Sequence, residues 1–395
     1  MGSKQKATMR VDYPLFLAVV VLLILGLMMI YSATFTWESQ RGIMIKQTAW
    51  AVLGLVLLLI AMRLDYRIWR RFALPMMGIA VLALVAVLLM GDRKGDTTSW
   101  FREGSVQPSE FAKLAFIVYM AAWLASKGEK IRDVTYGLIP FAVLLGIVSG
   151  LILRQPDIGT ALLIIATAMA MFFIAGAELV QLLISLVVGG AAFSLIIMNS
   201  ERAYGRIITF LNPNADPSGE GYQILRILSS LRSGGIAGRG LGSGMEKYVL
   251  PLPHTDTIFS VIGEELGLLG CLIVIGLFLF IAYRGLIISF RAPDTFSTLL
   301  AFGITCWMIF QATIHIAGNT NTLPFTGVTL PFISYGGSSL TMSLTGIGIL
   351  LSISRVGVER ERRTSAVFAF GRRDRRARVS RASRRGGMEK RQRQW

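Results

Sequence analysis

Charged residues are scarce in this chain. Of its 395 residues only 16% are Asp, Glu, Lys or Arg, whereas 53% are hydrophobic, and the mean hydropathy is +0.60. Soluble domains carry roughly a quarter charged residues. The balance therefore excludes an ordinary soluble domain and indicates a membrane protein.

Cysteine and histidine are scarcer still, with two of each. Cys271 and Cys306 both lie inside apolar runs, where a small buried hydrophobic side chain is the expected role. Nothing in the sequence resembles the Cys/His clusters that hold zinc, and two isolated cysteines do not predict a disulfide framework. We therefore expect neither a zinc site nor a disulfide scaffold.

Positive charge is plentiful but confined. The net charge is +17, and residues 355–395 hold fifteen Lys or Arg against four acids, so most of the excess lies in these last 41 residues. The tail, 357–395, is basic and poor in apolar residues, which predicts a disordered segment. Aromatic residues are few there and no nucleic-acid-binding fold precedes it. Attraction to anionic membrane lipids is therefore favoured over nucleic-acid binding.

Long apolar runs dominate the rest of the chain. A membrane-spanning helix needs about twenty mostly apolar residues. The candidate runs are 14–33, 46–62, 73–90, 110–126, 136–153, 159–176, 179–198, 262–283, 296–317 and 338–354. The first has no small-residue cleavage site behind it, so we expect a retained span and not a signal peptide. The sequence predicts an all-α polytopic membrane protein with an N-terminal segment, 1–13, a ten-helix membrane domain, 14–356, and the basic tail.

The distribution of Lys and Arg among the short connections predicts the orientation. With ten spans, the basic connections fall on the same side as both termini, which we expect to be the cytoplasm. Their basic residues are Arg63, Arg67, Arg70, Arg71, Lys127, Lys130, Arg132, Arg284 and Arg291. The opposite, extracytoplasmic side then receives 91–109, 154–157, 318–337 and a large loop, 199–261, between spans 7 and 8.

A histidine and an acid stand where the large loop returns to the membrane. His254 and Asp256 lie just before the eighth run, and ionisable groups at such a boundary mark a functional site by default. Glu110 and Lys113, three residues apart on one helix face and able to pair, reach the same face, as does Asp157. Each of these acids and bases could also have a purely structural role, as a helix cap or in an interfacial ion pair. Their convergence favours an ion pathway or a catalytic site.

The large loop also carries a glycine-rich run, 233–244. It matches no nucleotide-binding fingerprint, so it is a weak candidate for a phosphate cradle. Glycines also allow a backbone to pack tightly, which is the alternative. Glu264 and Glu265, which we place in the first turn of the next span, are as easily compensation for the helix dipole as functional groups.

Six segments resemble one protein family and occur in its order. They are 107–113 (Gln-Pro-Ser-Glu-Phe-Ala-Lys), 155–160 (Gln-Pro-Asp-Ile-Gly-Thr), 210–223, 233–242, 253–267 and 327–339. Over nearly all of 12–356 the chain resembles the SEDS family (shape, elongation, division and sporulation), which includes FtsW, RodA and SpoVE. The Lys-Tyr-Val-Leu-Pro approach to the His-Thr-Asp segment resembles the FtsW branch more than RodA. The chain departs from the family's usual residues at Arg226, Arg232, His315 and 321–322.

The resemblance implies a peptidoglycan glycosyltransferase that polymerises lipid II at the outer face of the bacterial cytoplasmic membrane and releases undecaprenyl pyrophosphate. Such chemistry needs a base at the attacking hydroxyl and positive charge at the leaving pyrophosphate. Asp256 matches the family's essential acid and is expected to act as the base or to position the acceptor. Glu110 and Lys113 carry over as further catalytic residues that orient Asp256 or the sugar.

The remaining expectations concern substrate contacts and partners. The expected substrate-binding residues are Asp157 and Gln155 (from the Gln-Pro-Asp match, Asp157 as a structural or secondary polar group), His254, Ser334, and Arg102, Arg206 and Arg239 for the pyrophosphate. A divalent cation, Mg or Mn, could assist with carboxylate ligands, and no organic cofactor is expected. Expected partners are lipid II, a class B penicillin-binding protein with transpeptidase activity, other divisome or elongasome proteins and membrane lipids, at the cytoplasmic membrane and its division septum.

Two alternatives remain open. A lipid II flippase needs charged residues along both leaflets, whereas the conspicuous ones here cluster on the outer side. An ion-coupled small-solute transporter is expected to have broken helices near the middle of the membrane, and the sequence shows no convincing pair of them.

Overall fold

The computed structural model of the chain describes residues 11–35, 40–90, 92–94, 97–100, 107–215 and 219–355. Its longer helices are α1 (Tyr13–Ala33), α2 (Gln40–Arg63), α3 (Arg67–Met90), α4 (Pro108–Lys127), α5 (Ile139–Leu153), α6 (Ile158–Ile174), α7 (Leu179–Met198), α8 (Glu201–Leu211), α9 (Glu220–Gly234), α10 (Ile258–Phe290), α11 (Thr295–Asn319) and α12 (Gly337–Arg355). Short helical turns cover Gly128–Arg132, Val134–Leu138, Pro213–Ala215 and Glu246–Tyr248. Two antiparallel strands, β1 (Asp92–Lys94) and β2 (Thr97–Trp100), form a hairpin between α3 and α4.

Nine helices in the described part of the chain are long and apolar enough to cross a membrane. They are α1 to α5, α7 and α10 to α12, with α4 and α5 each extended by an adjoining turn. The shorter α6, of 17 residues, occupies the place of the sixth predicted span. All ten predicted runs thus fall on helices, and the prediction of an all-α polytopic membrane protein is confirmed. The side on which the termini lie stays a prediction.

Polar residues at the ends of the apolar runs set the helix boundaries. Asp12 caps α1 by accepting a hydrogen bond from the backbone N–H of Leu15 at 3.1 Å, and a proline fills the first turn. Asp157 caps α6 in the same way through Thr160. Such caps satisfy amide groups that the helix itself leaves unpaired, so the boundaries follow from local chemistry.

The interior of the bundle is built from α4, α11 and α12, whose residues are mostly buried. α4 packs against α3 and α11, and α10 packs against α11 and α1. By contrast α7, described over its whole length, buries a single residue, Gln181. Its apolar surface is suited to lipid contact, because a membrane helix satisfies its own backbone groups.

Gly267 interrupts α10. Its φ of 68° and ψ of −166° are not helical, and a glycine adopts them without a Cβ penalty. A Cβ at this position would lie 2.3 Å from the backbone nitrogen of Gly238 and 2.5 Å from the oxygen of Ile236. The break leaves a short helix, 258–266, directly after the His-Thr-Asp segment, followed by the long membrane helix. Hydropathy alone did not predict this broken helix.

The glycine-rich run, 233–244, packs into the break. The backbone N–H groups of Arg239 and Gly240 donate to the carbonyl oxygens of Glu264 and Glu265 at 2.9 and 3.0 Å. These amides satisfy the end of the short helix, which favours the packing role over a phosphate cradle. The prediction that the two glutamates open the next span is wrong, because the helix begins at Ile258 and they lie in the last turn of its short first part.

Candidate functional site

A cleft of about 180 Å³ opens beside Asp256. Its walls come from the two helices of the large loop, from the segment that precedes α10 and from the loop between α11 and α12. The lining residues are Arg206, Thr209, Gln223, Ile224, Pro251, Leu252, Asp256, Phe325 and Gly327. The cleft therefore joins two predicted site residues, Asp256 and Arg206, in one mixed polar and apolar surface.

The backbone around Asp256 is held on two sides. Asn319, at the end of α11, donates from its side-chain amide to the carbonyl oxygen of Asp256 at 2.9 Å. Gly327 passes close to the carboxylate, since a Cβ there would lie 3.5 Å from Oδ2 of Asp256, and its φ of 72° favours glycine. Asp256 itself is half-buried. In the chain, Asp256 also comes just before the first turn of α10, a position at which the helix dipole favours negative charge.

His254 and Ser334 lie behind this segment and join it to the loop between α11 and α12. The Ser334 hydroxyl donates to the carbonyl oxygen of Thr255 at 2.7 Å and accepts from the N–H of Leu330 at 2.8 Å. The N–H of Tyr335 donates to the carbonyl oxygen of His254 at 2.8 Å, and the two rings meet edge to face at 5.2 Å. Burial raises the pKa of Tyr335. Both predicted residues are buried, and these contacts shape the segment that carries Asp256.

Glu110 and Lys113 form the predicted ion pair, with Nζ and Oε2 2.8 Å apart. Both side chains are buried in the bundle. The ammonium group also donates to Oε1 of Gln311 at 3.0 Å and lies 5.5 Å from the ring centroid of Trp307. An ammonium group inside a membrane helix is expensive unless it is partnered, and these three groups on α4 and α11 provide the partners.

Gln311 connects this ion pair to the rim of the cleft. Its Oε1 accepts from Lys113 and from the indole N–H of Trp307, the latter at 2.7 Å. Its Nε2 donates to the carbonyl oxygen of Thr329 at 2.9 Å, two residues beyond Gly327. Sequence analysis missed Gln311, although a polar residue inside an apolar run was the available signal.

A second buried ion pair supports the short helix. Nζ of Lys247 lies 2.7 Å from Oε1 of Glu265, and neither side chain is more than 1% exposed. The hydroxyl of Ser32 on α1 lies 2.7 and 2.6 Å from the two carboxylate oxygens of Glu265. Glu264 accepts from the backbone N–H of Met245 at 2.7 Å. Glu264 and Glu265 thus both interact with neighbouring parts of the chain.

The other predicted substrate-binding residues take different positions. Nη1 of Arg239 lies 3.9 Å from Glu264, so the arginine faces the short helix. Gln155 is buried, and its amide donates to the carbonyl oxygen of Leu84 at 3.2 Å. Asp157 caps α6 and also accepts from the amide of Gln107, which precedes α4, at 3.3 Å. Arg102 lies outside the described residues.

Helix α8 of the large loop is strongly amphipathic. Its residue Arg206 lines the cleft. Arg206 and Thr209 are three residues apart, so both lie on one face of α8, and both line the cleft. Gln223 and Ile224 line it from α9. The cleft therefore offers a carboxylate, a guanidinium group and an amide to one ligand, with apolar contact beside them.

Fold and site together define a polytopic membrane protein with a carboxylate-bearing cleft at one membrane face. The family model for the FtsW, RodA and SpoVE proteins, described as "Cell cycle protein", matches residues 13–358. The chain belongs to this family, and the family predicted from the six segments is confirmed.

Two individual relatives are similar to the chain over most of its length. The chain is 40% identical over 353 residues to the "Probable peptidoglycan glycosyltransferase FtsW" of Trichlorobacter lovleyi, covering 87% of this chain and 93% of the relative. It is 36% identical over 357 residues to "Stage V sporulation protein E" of Bacillus subtilis, covering 87% and 97%.

Two solved structures share the fold. A chain from a structure described as "Structural coordination of polymerization and crosslinking by a peptidoglycan synthase complex" has a TM-score of 0.74 at 29% identity, covering 87% of this chain and 98% of the other. The rod shape determining protein RodA of Thermus thermophilus has a TM-score of 0.66 at 28% identity, covering 87% and 97%.

Proposed function

We propose that the protein is a peptidoglycan glycosyltransferase that polymerises lipid II into glycan strands at the outer face of the cytoplasmic membrane. The observation that carries this proposal is the cleft, where a half-buried carboxylate and a guanidinium group line one surface at a membrane boundary. The name of the relative from Trichlorobacter lovleyi supports the same reaction class.

The reaction joins two lipid-linked disaccharides. The 4-hydroxyl of one attacks the anomeric carbon of the other, the new glycosidic C–O bond forms, and the bond from the anomeric carbon to the pyrophosphate breaks. Asp256 takes the proton of the attacking hydroxyl as general base. Undecaprenyl pyrophosphate leaves with the electron pair, and Arg206 stabilises the charge that develops on it.

The ion pair of Glu110 and Lys113 acts as a positioning group in this proposal. It reaches the cleft through Gln311 and the carbonyl oxygen of Thr329, and so fixes the loop that passes beside Asp256. A rigid loop keeps the carboxylate within reach of the hydroxyl, and such alignment contributes strongly to rate.

A divalent cation at the pyrophosphate remains part of the proposal. Within the described residues no group of three or more His, Cys, Asp or Glu side chains lies close enough together to hold a metal ion. A cage made only of protein ligands is therefore unsupported there. Magnesium commonly binds through one or two carboxylates together with substrate phosphates and water. Most of its ligands would then come from the pyrophosphate and water, and Asp256 keeps its role as general base.

The proposed partner is a class B penicillin-binding protein that crosslinks the strands as they form. The support is the similarity to a chain from a complex whose description couples polymerization with crosslinking. We also propose that the protein acts in the cytoplasmic membrane at the division septum, with other divisome proteins, because the relatives named FtsW are more similar in sequence than the solved RodA.

The test is polymerisation of labelled lipid II by the purified full-length protein together with its class B partner. Asp256→Ala is expected to abolish glycan strands, while Glu129→Gln, which changes an exposed acid in the turn that follows α4, keeps wild-type activity. A parallel liposome assay measures lipid II flipping. Flipping without polymerisation, or full polymerisation by a folded Asp256→Ala protein, would overturn the proposal.

A further inference from the structure

Three arginines line a second pocket, at the opposite end of α10 from Asp256. The pocket measures about 350 Å³ and lies where the turn between α2 and α3 meets the turn between α10 and α11. Its lining residues are Tyr66, Arg67, Arg70, Arg71, Asp294 and Phe296. We call it the arginine pocket.

The walls of the arginine pocket are held by contacts between distant parts of the chain. The Tyr66 hydroxyl donates to Oδ2 of Asp294 at 2.6 Å, and Nε of Arg67 donates to the Tyr66 oxygen at 3.4 Å. The guanidinium carbon of Arg70 lies 6.0 Å from the ring centroid of Phe296. Tyr66 and Phe296 are buried, whereas all three arginines are exposed. The pocket is thus preformed, with its cations facing outward.

The last membrane helix fixes the same turn from another side. The hydroxyl of Ser352 donates to the carbonyl oxygen of Leu64, and the guanidinium group of Arg355 donates to the carbonyl oxygen of Arg63 at 3.2 Å. The turn between α2 and α3 is therefore anchored to α12 and to Asp294 together. Arginines that served only to orient the chain in the membrane would not need a turn anchored in this way.

Positive charge exceeds negative charge in the pocket. Asp294 is its single lining carboxylate among the described residues, and it also caps α11 by accepting from the N–H of Ser297 at 3.0 Å. Burial raises the pKa of Asp294, but hydrogen bonds from Tyr66 and Ser297 outweigh burial and leave the pKa below its usual value. Asp65 lies nearby and accepts from the backbone N–H of Arg67 at 2.9 Å. One guanidinium charge still remains in excess of these two carboxylates.

The position of the pocket indicates what fills it. α2, α3, α10 and α11 are all long and apolar enough to span the membrane, so we place the turns between them at the membrane surface, close to the lipid phosphate groups. Arginine is suited to bidentate contact with phosphate, and basic pockets between membrane helices bind anionic head groups. The chain's own tail does not fit, because residues 355–395 hold fifteen basic residues against four acids and would be repelled.

We propose that the arginine pocket binds the phosphate head group of an anionic phospholipid. Arg70 and Arg71 contact the phosphate oxygens, while Arg67 stays with Tyr66 and keeps the wall in place. A bound lipid would link the turn between α2 and α3 to the turn between α10 and α11, and so would stabilise the bundle at the end opposite the cleft.

The test uses the purified full-length protein with phosphatidylglycerol, and with phosphatidylcholine as the zwitterionic comparison. Lipid binding is measured by native mass spectrometry, and stabilisation by the shift in the thermal unfolding midpoint. Phosphatidylglycerol is expected to bind and to raise the midpoint of the wild type. The double variant Arg70→Gln/Arg71→Gln is expected to bind it at least roughly tenfold more weakly. Should the double variant fail to fold, Arg71→Gln alone provides the same comparison.

The control is Lys130→Gln/Arg132→Gln, which removes two exposed charges at the same membrane face outside the pocket. It is expected to keep wild-type lipid binding. Equal losses in the two double variants would show general charge attraction and would overturn the proposal. A third arm replaces the lipid with inorganic phosphate. If phosphate alone produces the whole shift, the ligand is a free anion and the lipid assignment is wrong.

Discussion

Charged groups near the proposed active site occupy two different environments. Asp256 and Arg206 line an open cleft. The pairs Glu110–Lys113 and Lys247–Glu265 are buried, with separations of 2.8 and 2.7 Å. Asp256 and Arg206 can be reached from the cleft, whereas both buried pairs are enclosed by other parts of the chain.

This difference distinguishes the groups that we expect to act on the substrate from those that we expect to hold the structure in place. Burying two charges carries a desolvation penalty that their attraction often does no more than balance, but removing one partner leaves an uncompensated charge. We therefore expect the buried pairs to hold the short helix and the loop beside Asp256 in one arrangement. Substitutions in the buried pairs should lower stability, and substitutions in the cleft should lower activity alone.

Lys247→Met should have the largest effect on stability. It leaves Glu265 buried without its cation, which is expected to reduce the free energy of unfolding by about 3–5 kcal/mol. The measurement is the thermal unfolding midpoint in detergent. The double variant Lys247→Met/Glu265→Gln should recover much of the loss, because no buried charge then remains in the pair. An equal loss in both variants would contradict the assignment of the pair.

Gly267→Ala tests whether the break in α10 matters. The added Cβ meets the backbone of Gly238 at 2.3 Å, in a conformation that costs about 1–3 kcal/mol for other residues. Both the unfolding midpoint and polymerisation are expected to fall, since the short helix follows the segment that carries Asp256. The matched control is Gly276→Ala, farther along α10, where a Cβ meets nothing within 4 Å. Equal effects at both glycines would show that the break in α10 is not required for stability or for polymerisation.

Gln311→Leu removes the link between the Glu110–Lys113 pair and the loop. It leaves the indole N–H of Trp307 and the ammonium group of Lys113 each short of an acceptor, at a cost of about 1–3 kcal/mol. Gln311→Glu keeps an acceptor for both donors but loses the amide N–H that donates to Thr329 and adds a buried carboxylate, so it is expected to lower polymerisation as well. Both variants are compared by unfolding midpoint and by polymerisation rate. Wild-type values for Gln311→Leu would show that the pair acts without this link.

Arg206→Gln should have the smallest effect on stability and a clear effect on activity. Arg206 is half-buried, and an ion pair of a partly exposed arginine contributes about 0–1 kcal/mol to the free energy of unfolding, so the expected loss of stability stays below about 1 kcal/mol. The loss of a charge-assisted contact to the pyrophosphate, worth about 1.5–3 kcal/mol, predicts a polymerisation rate roughly ten- to a hundredfold lower. Arg232→Gln, an exposed arginine of α9 outside the cleft, is the control. Equal rates in the two variants would exclude Arg206 from the reaction.

Much of the fold was predictable from the sequence because hydropathy is a local property. Each of the ten apolar runs is a helix, and Asp256 lies just before the helix of the eighth run, α10, as its place in the sequence indicated. The Glu110–Lys113 contact was predictable too, since a spacing of three residues places both on one helix face.

The support around the cleft was not predictable in the same way. Gln311 is an uncharged residue in an apolar run, and its partner Lys113 is 198 residues away in the chain. The break at Gly267 lies inside the apolar run 262–283, which hydropathy reads as one continuous span. The composition of a segment also leaves open whether a polar side chain faces substrate or backbone. Gln155 and Ser334 donate to the carbonyl oxygens of Leu84 and Thr255, and only the tertiary structure shows this.

The most direct measurement is the polymerisation rate of Asp256→Asn beside its unfolding midpoint. The carbonyl oxygen of Asp256 still accepts from Asn319 in this variant, so the segment is expected to keep its place. We predict a rate lower by about 10²–10⁴-fold, the contribution typical of a general base, at an unchanged midpoint. A wild-type rate, or a rate loss accompanied by a fall in the midpoint as large as that of Lys247→Met, would contradict the account.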